Sequence, residues 1–95
     1  MSVKFEWDGR KAASNFSEHR VSFEEALTVF RDPLARIFDD EDHSVEERRE
    51  IIVGHSSRSR LLVVCFSERD EWARIFSARR ATSRERKDYE ENIQG

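Results

Sequence analysis

Cysteine, proline and glycine are all scarce in this 95-residue chain, which has one Cys, one Pro and three Gly. The lone Cys65 cannot close an internal disulfide and has no second thiol with which to build a structural zinc site. So little Gly and Pro leaves no linker or low-complexity tract, and residues 1–95 are expected to form one domain. No apolar run approaches the ~18 residues that a membrane span requires. No basic-plus-apolar leader opens the chain, so a cytoplasmic protein is expected. Gly-rich phosphate loops, nucleophile motifs and metal-ligand spacings are also missing, which argues against the common small-molecule enzyme classes and implies neither metal nor cofactor. The acidic run Asp39-Asp40-Glu41-Asp42 lacks the glycine of a calcium loop and reads as a solvated loop.

What the chain does have is charge and aromatic bulk. Seven Phe, two Trp and one Tyr supply a core that 37% apolar residues would otherwise leave thin. Seventeen basic and 20 acidic residues sum to −3, but they are unevenly spread. Residues 1–50 carry 8 basic and 13 acidic side chains, whereas residues 51–87 carry 9 and 4. Fourteen of the basic residues are Arg, whose planar fork suits phosphate oxygens; Arg-rich genomes give the same bias without function. Nucleic-acid contact by the C-terminal half is one reading, and a solvated basic edge the other.

Local patterns give the element order. Val3-Lys4-Phe5-Glu6-Trp7 alternates as a half-buried strand does. Asp8 caps a helix over Arg10 to His19 with Ala12, Ala13 and Phe16 on one face. Ser22-Phe23-Glu24-Glu25 is a capping box that opens a second helix, apolar at Phe23, Ala26, Leu27 and Phe30, and Asp32-Pro33 stops it. Four strands follow: Leu34–Phe38, Glu50–Gly54, Arg60–Ser67 and Trp72–Ala78. Thr82-Ser83-Arg84-Glu85 is a second capping box and opens a last helix to about Asn92. The expected fold is α+β in the order β-α-α-β-β-β-β-α, with helices against one face of an antiparallel meander.

Several segments carry a family resemblance. Phe5-Glu6-Trp7-Asp8, Lys11-Ala12-Ala13-Ser14-Asn15, Val21-Ser22-Phe23-Glu24-Glu25-Ala26 and Ser77-Ala78-Arg79-Arg80-Ala81-Thr82 resemble the BrnT toxins. Asp42-His43-Ser44, Glu47-Arg48, Ile52-Val53-Gly54, Leu61-Leu62-Val63-Val64, Glu85-Arg86 and Tyr89-Glu90 fit the same pattern in order. The sequence departs from it twice: Arg20 stands where Gly is expected after His, and Ser59 where the turn carries Gly before Arg60. The resemblance implies a RelE-like, metal-independent endoribonuclease of a type II toxin–antitoxin system that cleaves RNA and halts translation. It implies a BrnA-like ribbon-helix-helix antitoxin as partner, and operator DNA bound through the complex. A subunit with weakened catalysis, acting mainly as an antitoxin-binding co-repressor, is the alternative.

Metal-free RNA cleavage needs a base for the ribose 2′-OH, an acid for the leaving 5′-oxygen and cations over the phosphorane. Arg79 and Arg80 lie at a strand end beside a helix N-terminus and are the first choice for the cations; on a strand they point to opposite faces. His19, His43 and His55 are the only side chains that ordinarily titrate near neutrality. Among them His55 is best placed, close in sequence to Arg58 and Arg60, although a lone loop His is often a bystander. Glu68, ending the long apolar strand, is either a carboxylate base or a turn residue. Arg58, Arg60 and Arg84 are the further RNA contacts. Tyr89 either meets RNA or seals the last helix, and Trp7 and Trp72 either stack bases or fill core, as Phe5, Phe16, Phe23 and Phe30 do. Cys65, in an apolar strand, reads as a buried hydrophobe.

Overall fold

A computed structural model describes residues 4–40 and 48–94. The elements are β1 (Lys4–Glu6), α1 (Gly9–His19), α2 (Phe23–Val29), β2 (Arg36–Asp39), β3 (Glu50–His55), β4 (Leu61–Arg69), β5 (Trp72–Arg80) and α3 (Ser83–Gln94). This is the expected order. His43 and the second half of the acidic run, Glu41 and Asp42, lie outside the described residues. Within them, Asp39 ends β2 and Asp40 is buried, accepting from the Cys65 thiol at 3.5 Å, so this part is not a solvated loop.

Local signals set the helix starts. Asp8 caps α1 by accepting from the Arg10 and Lys11 amides, and Ser22 Oγ accepts from the Glu25 amide at the start of α2. The box at α3 is complete in both directions: Thr82 Oγ1 accepts from the Glu85 amide, and Glu85 accepts from the Thr82 amide.

The sheet runs β1-β5-β4-β3-β2. β2 to β5 form the expected antiparallel meander, but β1 pairs parallel to β5, with Phe5 opposite Ala73, so the sheet is mixed. Short turns dictate antiparallel pairing only between neighbours in sequence; β1 arrives at its edge from the far end of the chain. The helices do not share one face either. Val21, Phe23, Ala26 and Val29 pack with Ile52, Leu62, Val64, Phe66, Ala73, Ile75 and Ala78 on one side of the sheet. α3 lies across the other side, over Val53, Val63 and Arg79.

α1 runs along the outer edge of β5 beyond β1. Its Asn15 side chain accepts from the Ala78 amide and donates to the carbonyls of Ala78 and Val21, closing the edge where β1 ends. That register turns Ala12 and Asn15 inward and leaves Phe16 47% exposed, contrary to its expected core position. Phe23 is fully buried, and Phe5 and Phe30 pack ring to ring against the core as expected.

Arg20 and Ser59 both adopt the left-handed backbone conformation, with φ of 60° and 61°. These are the two positions at which the resemblance leads us to expect glycine. A non-glycine residue there costs about 1 kcal/mol, and in each loop a hydrogen bond holds the conformation. The Arg20 carbonyl receives a hydrogen bond from Arg60, and the Ser59 amide closes the turn onto the Ser56 carbonyl.

Candidate RNA-cleavage site

The β4–β5 register contains one irregularity. Cys65 faces Ser77 and Phe66 faces Ile75, so Phe76 is an extra residue, a β-bulge. Alternation carries Ala73 and Ile75 to the core; after the bulge it resumes with Ala78 in the core and Arg79 on the α3 side. Without the extra residue, Arg80 and not Arg79 would meet α3. The two arginines do point to opposite faces, and the bulge decides which goes where.

Arg79 donates from both terminal nitrogens to Glu85, at 2.7 and 2.9 Å. This fork, with the Thr82 amide, holds the Glu85 carboxyl at about 2, far below its ordinary 4.5. The capping glutamate of α3 thus also anchors Arg79. Further along α3, Tyr89 is buried and its hydroxyl donates to Asp32 at 3.3 Å, while Arg36 of β2 donates to the Asn92 carbonyl at 2.6 Å. Between these supports lies an apolar groove of about 260 Å³, floored by Ile51, Val53 and Val63 and flanked by Arg36 and Arg79.

His55 ends β3 beside this groove. Its imidazole is 44% exposed, meets the Tyr89 ring edge to face at 5.6 Å, and has Nδ1 3.8 Å from the Asp32 carboxylate. Asp32 also accepts from the amides of His55 and Leu34, at 2.7 and 2.9 Å. Burial works to raise the Asp32 carboxyl, but these donors and Tyr89 outweigh it and hold the group below its usual range. Gly54 makes the approach possible: a methyl group there would stand 2.9 Å from Ala35 and 3.0 Å from Asp32. Asp32 was legible in the sequence only as a helix stop, and nothing local tied it to a residue 23 positions away.

The turn Ser56–Ser59 and the β5–α3 junction bring more arginine to the same end of the sheet. Arg80 and Arg86 share a pocket with Arg60, and Arg58 and Arg84 are exposed nearby in sequence at the turn tip and in the first turn of α3. Arg60 is differently employed. It donates from Nε and Nη2 to Glu25, and from Nη2 to the Arg20 carbonyl, with side-chain exposures of 18% for Arg60 and 4% for Glu25. Ser56 donates to the same carboxylate at 2.6 Å. Together Arg60 and Ser56 outweigh burial and lower the Glu25 carboxyl.

Glu68 and Trp7 are not brought to this end. Glu68 is exposed and pairs with Ala73, roughly 17 Å along β4 from the Arg79 row by strand geometry. Trp7 is half-buried, edge-on to Phe23 at 5.8 Å and packed against the core. Cys65 is half-buried, and burial with Asp40 alongside pushes its thiol up to about 11, which leaves it a poor nucleophile. Among the described residues no three His, Cys, Asp or Glu side chains gather in a metal-binding arrangement. No described helix is long and apolar enough to cross a membrane.

The comparisons with known proteins bear on this site. Residues 7–85 match the family model described as the ribonuclease toxin BrnT of type II toxin–antitoxin systems. The chain belongs to the BrnT family. A 1.1 Å crystal structure of the Brucella abortus ribonuclease toxin BrnT superposes with a TM-score of 0.66 at 19% identity, over 86% of this chain and all of that one. At that identity the match speaks for the fold. No curated protein sequence matches. The match to the BrnT model spans every element from α1 to β5 and ends at Glu85, the residue that caps α3 and holds Arg79.

Proposed function

We propose that this protein is the toxin of its type II pair, an endoribonuclease that cuts RNA through its own side chains, without a metal, and so halts translation. The observation that carries the reading is His55, half exposed and seated on the partly buried Asp32 at the arginine-rich end of the sheet. In this scheme the His55 imidazole takes the proton of a ribose 2′-OH. The 2′-oxygen attacks the adjacent phosphorus and the 5′-oxygen leaves with a proton taken from solvent water, giving a 2′,3′-cyclic phosphate and a 5′-hydroxyl. Arg79 and Arg80 carry the charge of the phosphorane, from opposite faces of the strand end. Arg58 and Arg84 hold flanking phosphates. Glu85 keeps the Arg79 fork in one orientation until phosphate competes for it. Tyr89 supports Asp32 from below, and Arg60 shapes the turn through Glu25. Glu68 and Trp7 have no part in the centre because of their distance and packing.

A RelE-like relation, a BrnA-like ribbon-helix-helix antitoxin, repression of operator DNA by the complex and action in the cytoplasm belong to the same proposal. Regulated expression of the chain beside His55→Ala tests it, read by growth and RNA integrity. The expected result is arrest with RNA loss from the parent and growth with intact RNA from the folded variant. Equal toxicity of the two would contradict the role of His55. No toxicity from a folded, soluble parent would favour a co-repressor with weakened catalysis.

A further inference from the structure

The open face of β5 alternates aromatic and cationic side chains away from the proposed cleavage centre. Trp72 is 44% exposed and carries the Lys4 ammonium over its ring at 5.7 Å. Arg74 follows on the same face, paired with Glu6 at 2.7 Å, both side chains about two-fifths exposed. Next comes Phe76, outward by the same alternation, with the Arg49 guanidinium 3.9 Å and the Lys11 ammonium 5.3 Å from its ring centre. Arg79 ends the row. Along a strand this series spans roughly 20 Å.

Cation–π pairs at Trp72 and Phe76, with Arg74 between them and Arg79 beyond, suit a ligand that repeats a flat ring and a phosphate. Single-stranded RNA is such a ligand: bases stack on aromatic rings or on a guanidinium plane, and the backbone tracks the cations. The carboxylates nearby, Glu6 on Arg74 and Glu71 on Lys4 at 3.8 Å, form exposed pairs that are worth little and yield readily to phosphate. The bulge at Phe76 keeps Arg79 in line with the row, since without it Arg79 would turn to the core side.

We infer that Trp72, Arg74 and Phe76 form a track on β5 that holds several nucleotides of single-stranded RNA and feeds them to Arg79. The inference rests on the ribonuclease reading above. The protein selects unpaired substrate by this track, and it prefers RNA longer than the scissile dinucleotide.

The test uses Trp7→Phe protein, in which Trp72 is the only tryptophan, titrated with fully 2′-O-methylated oligonucleotides of three, six and nine residues. Fluorescence of Trp72 should be quenched by the longer oligomers, with affinity rising about tenfold from three to nine residues. Arg74→Gln, an exposed substitution, should remove most of that gain in the same titration. Trp72→Ala, in the parent chain, should lose the preference for long over short RNA in cleavage. Quenching that is absent, or a length preference unchanged in both variants, would overturn the track. If short RNA is still cut in that case, the ribonuclease reading stands without it. Failure of the folded parent to cut RNA of any length would overturn both.

Discussion

The two faces of the sheet are held by different forces. On one face, α2 and Val21 close over a dry apolar layer in which Phe23, Val29, Leu62, Val64 and Ala78 are completely buried. On the other, α3 is fastened by polar contacts: Arg79 to Glu85, Tyr89 to Asp32 and Arg36 to the Asn92 carbonyl, with an open groove beneath. Apolar burial is non-directional and large in sum, so the first face supplies most of the stability. Exposed ion pairs and hydrogen bonds contribute little to folding, but they fix the direction of charged groups, as a site for phosphate requires. One side of the five-stranded sheet thus supplies most of the stability, and the other holds the ordered charge of Arg79 on which the proposed chemistry draws.

Substitutions on each face should separate these roles. Phe23→Ala, on the buried face, should cost ~3–5 kcal/mol in urea unfolding, enough to threaten folding of a small domain. Arg79→Ala, on the α3 face, should lower RNA cleavage by ~10²–10³-fold. Its cost in the same unfolding experiment should be below ~1 kcal/mol, because the Arg79–Glu85 pair is more than a third exposed. A large stability loss from Arg79→Ala would erase the contrast. Asn15→Ala, at the edge where the two faces meet, should cost ~1–3 kcal/mol, since it strips the partners from buried backbone groups of Ala78 and Val21.

The smallest effect is a pH dependence. The Glu85 carboxyl titrates at about 2 when folded and ordinarily at 4.5, so its contribution to stability is fully present above pH 4.5 and is lost as the pH falls toward 2. Urea unfolding of the parent and of Glu85→Gln should therefore differ most near neutrality and converge in acid. A difference that persists undiminished below pH 2 would mean that the carboxylate charge is not what binds Arg79.

Much of the fold was legible because its signals are local. The capping boxes at Ser22 and Thr82, the stop before Pro33 and the alternation at Phe5 each involve residues within four positions of one another, and each marks a boundary. The parallel β1–β5 pairing, the Asn15–Ala78 bonds and the seat of His55 on Asp32 join residues 23 to 68 positions apart, so no periodicity encodes them. The bulge at Phe76 is a different case. Its sequence alternates plausibly through the irregularity, and only the register with β4 shows that Arg79, not Arg80, faces α3. Asn15 did offer a signal, a polar residue three positions after Ala12 at the spacing of an inward helix face, which marks a buried amide with backbone partners.

If this chain's side chains cleave RNA through the ribose 2′-OH, the nucleotide before the cut must carry that hydroxyl free. Purified parent protein should be incubated with an end-labelled single-stranded RNA, and with the same RNA carrying a single 2′-O-methyl group at the nucleotide preceding the cut. The expected outcome is a product ending in a 2′,3′-cyclic phosphate from the first, and no cut at the blocked position in the second. Cleavage that continues at the methylated nucleotide, or that leaves a free 3′-hydroxyl, would contradict it.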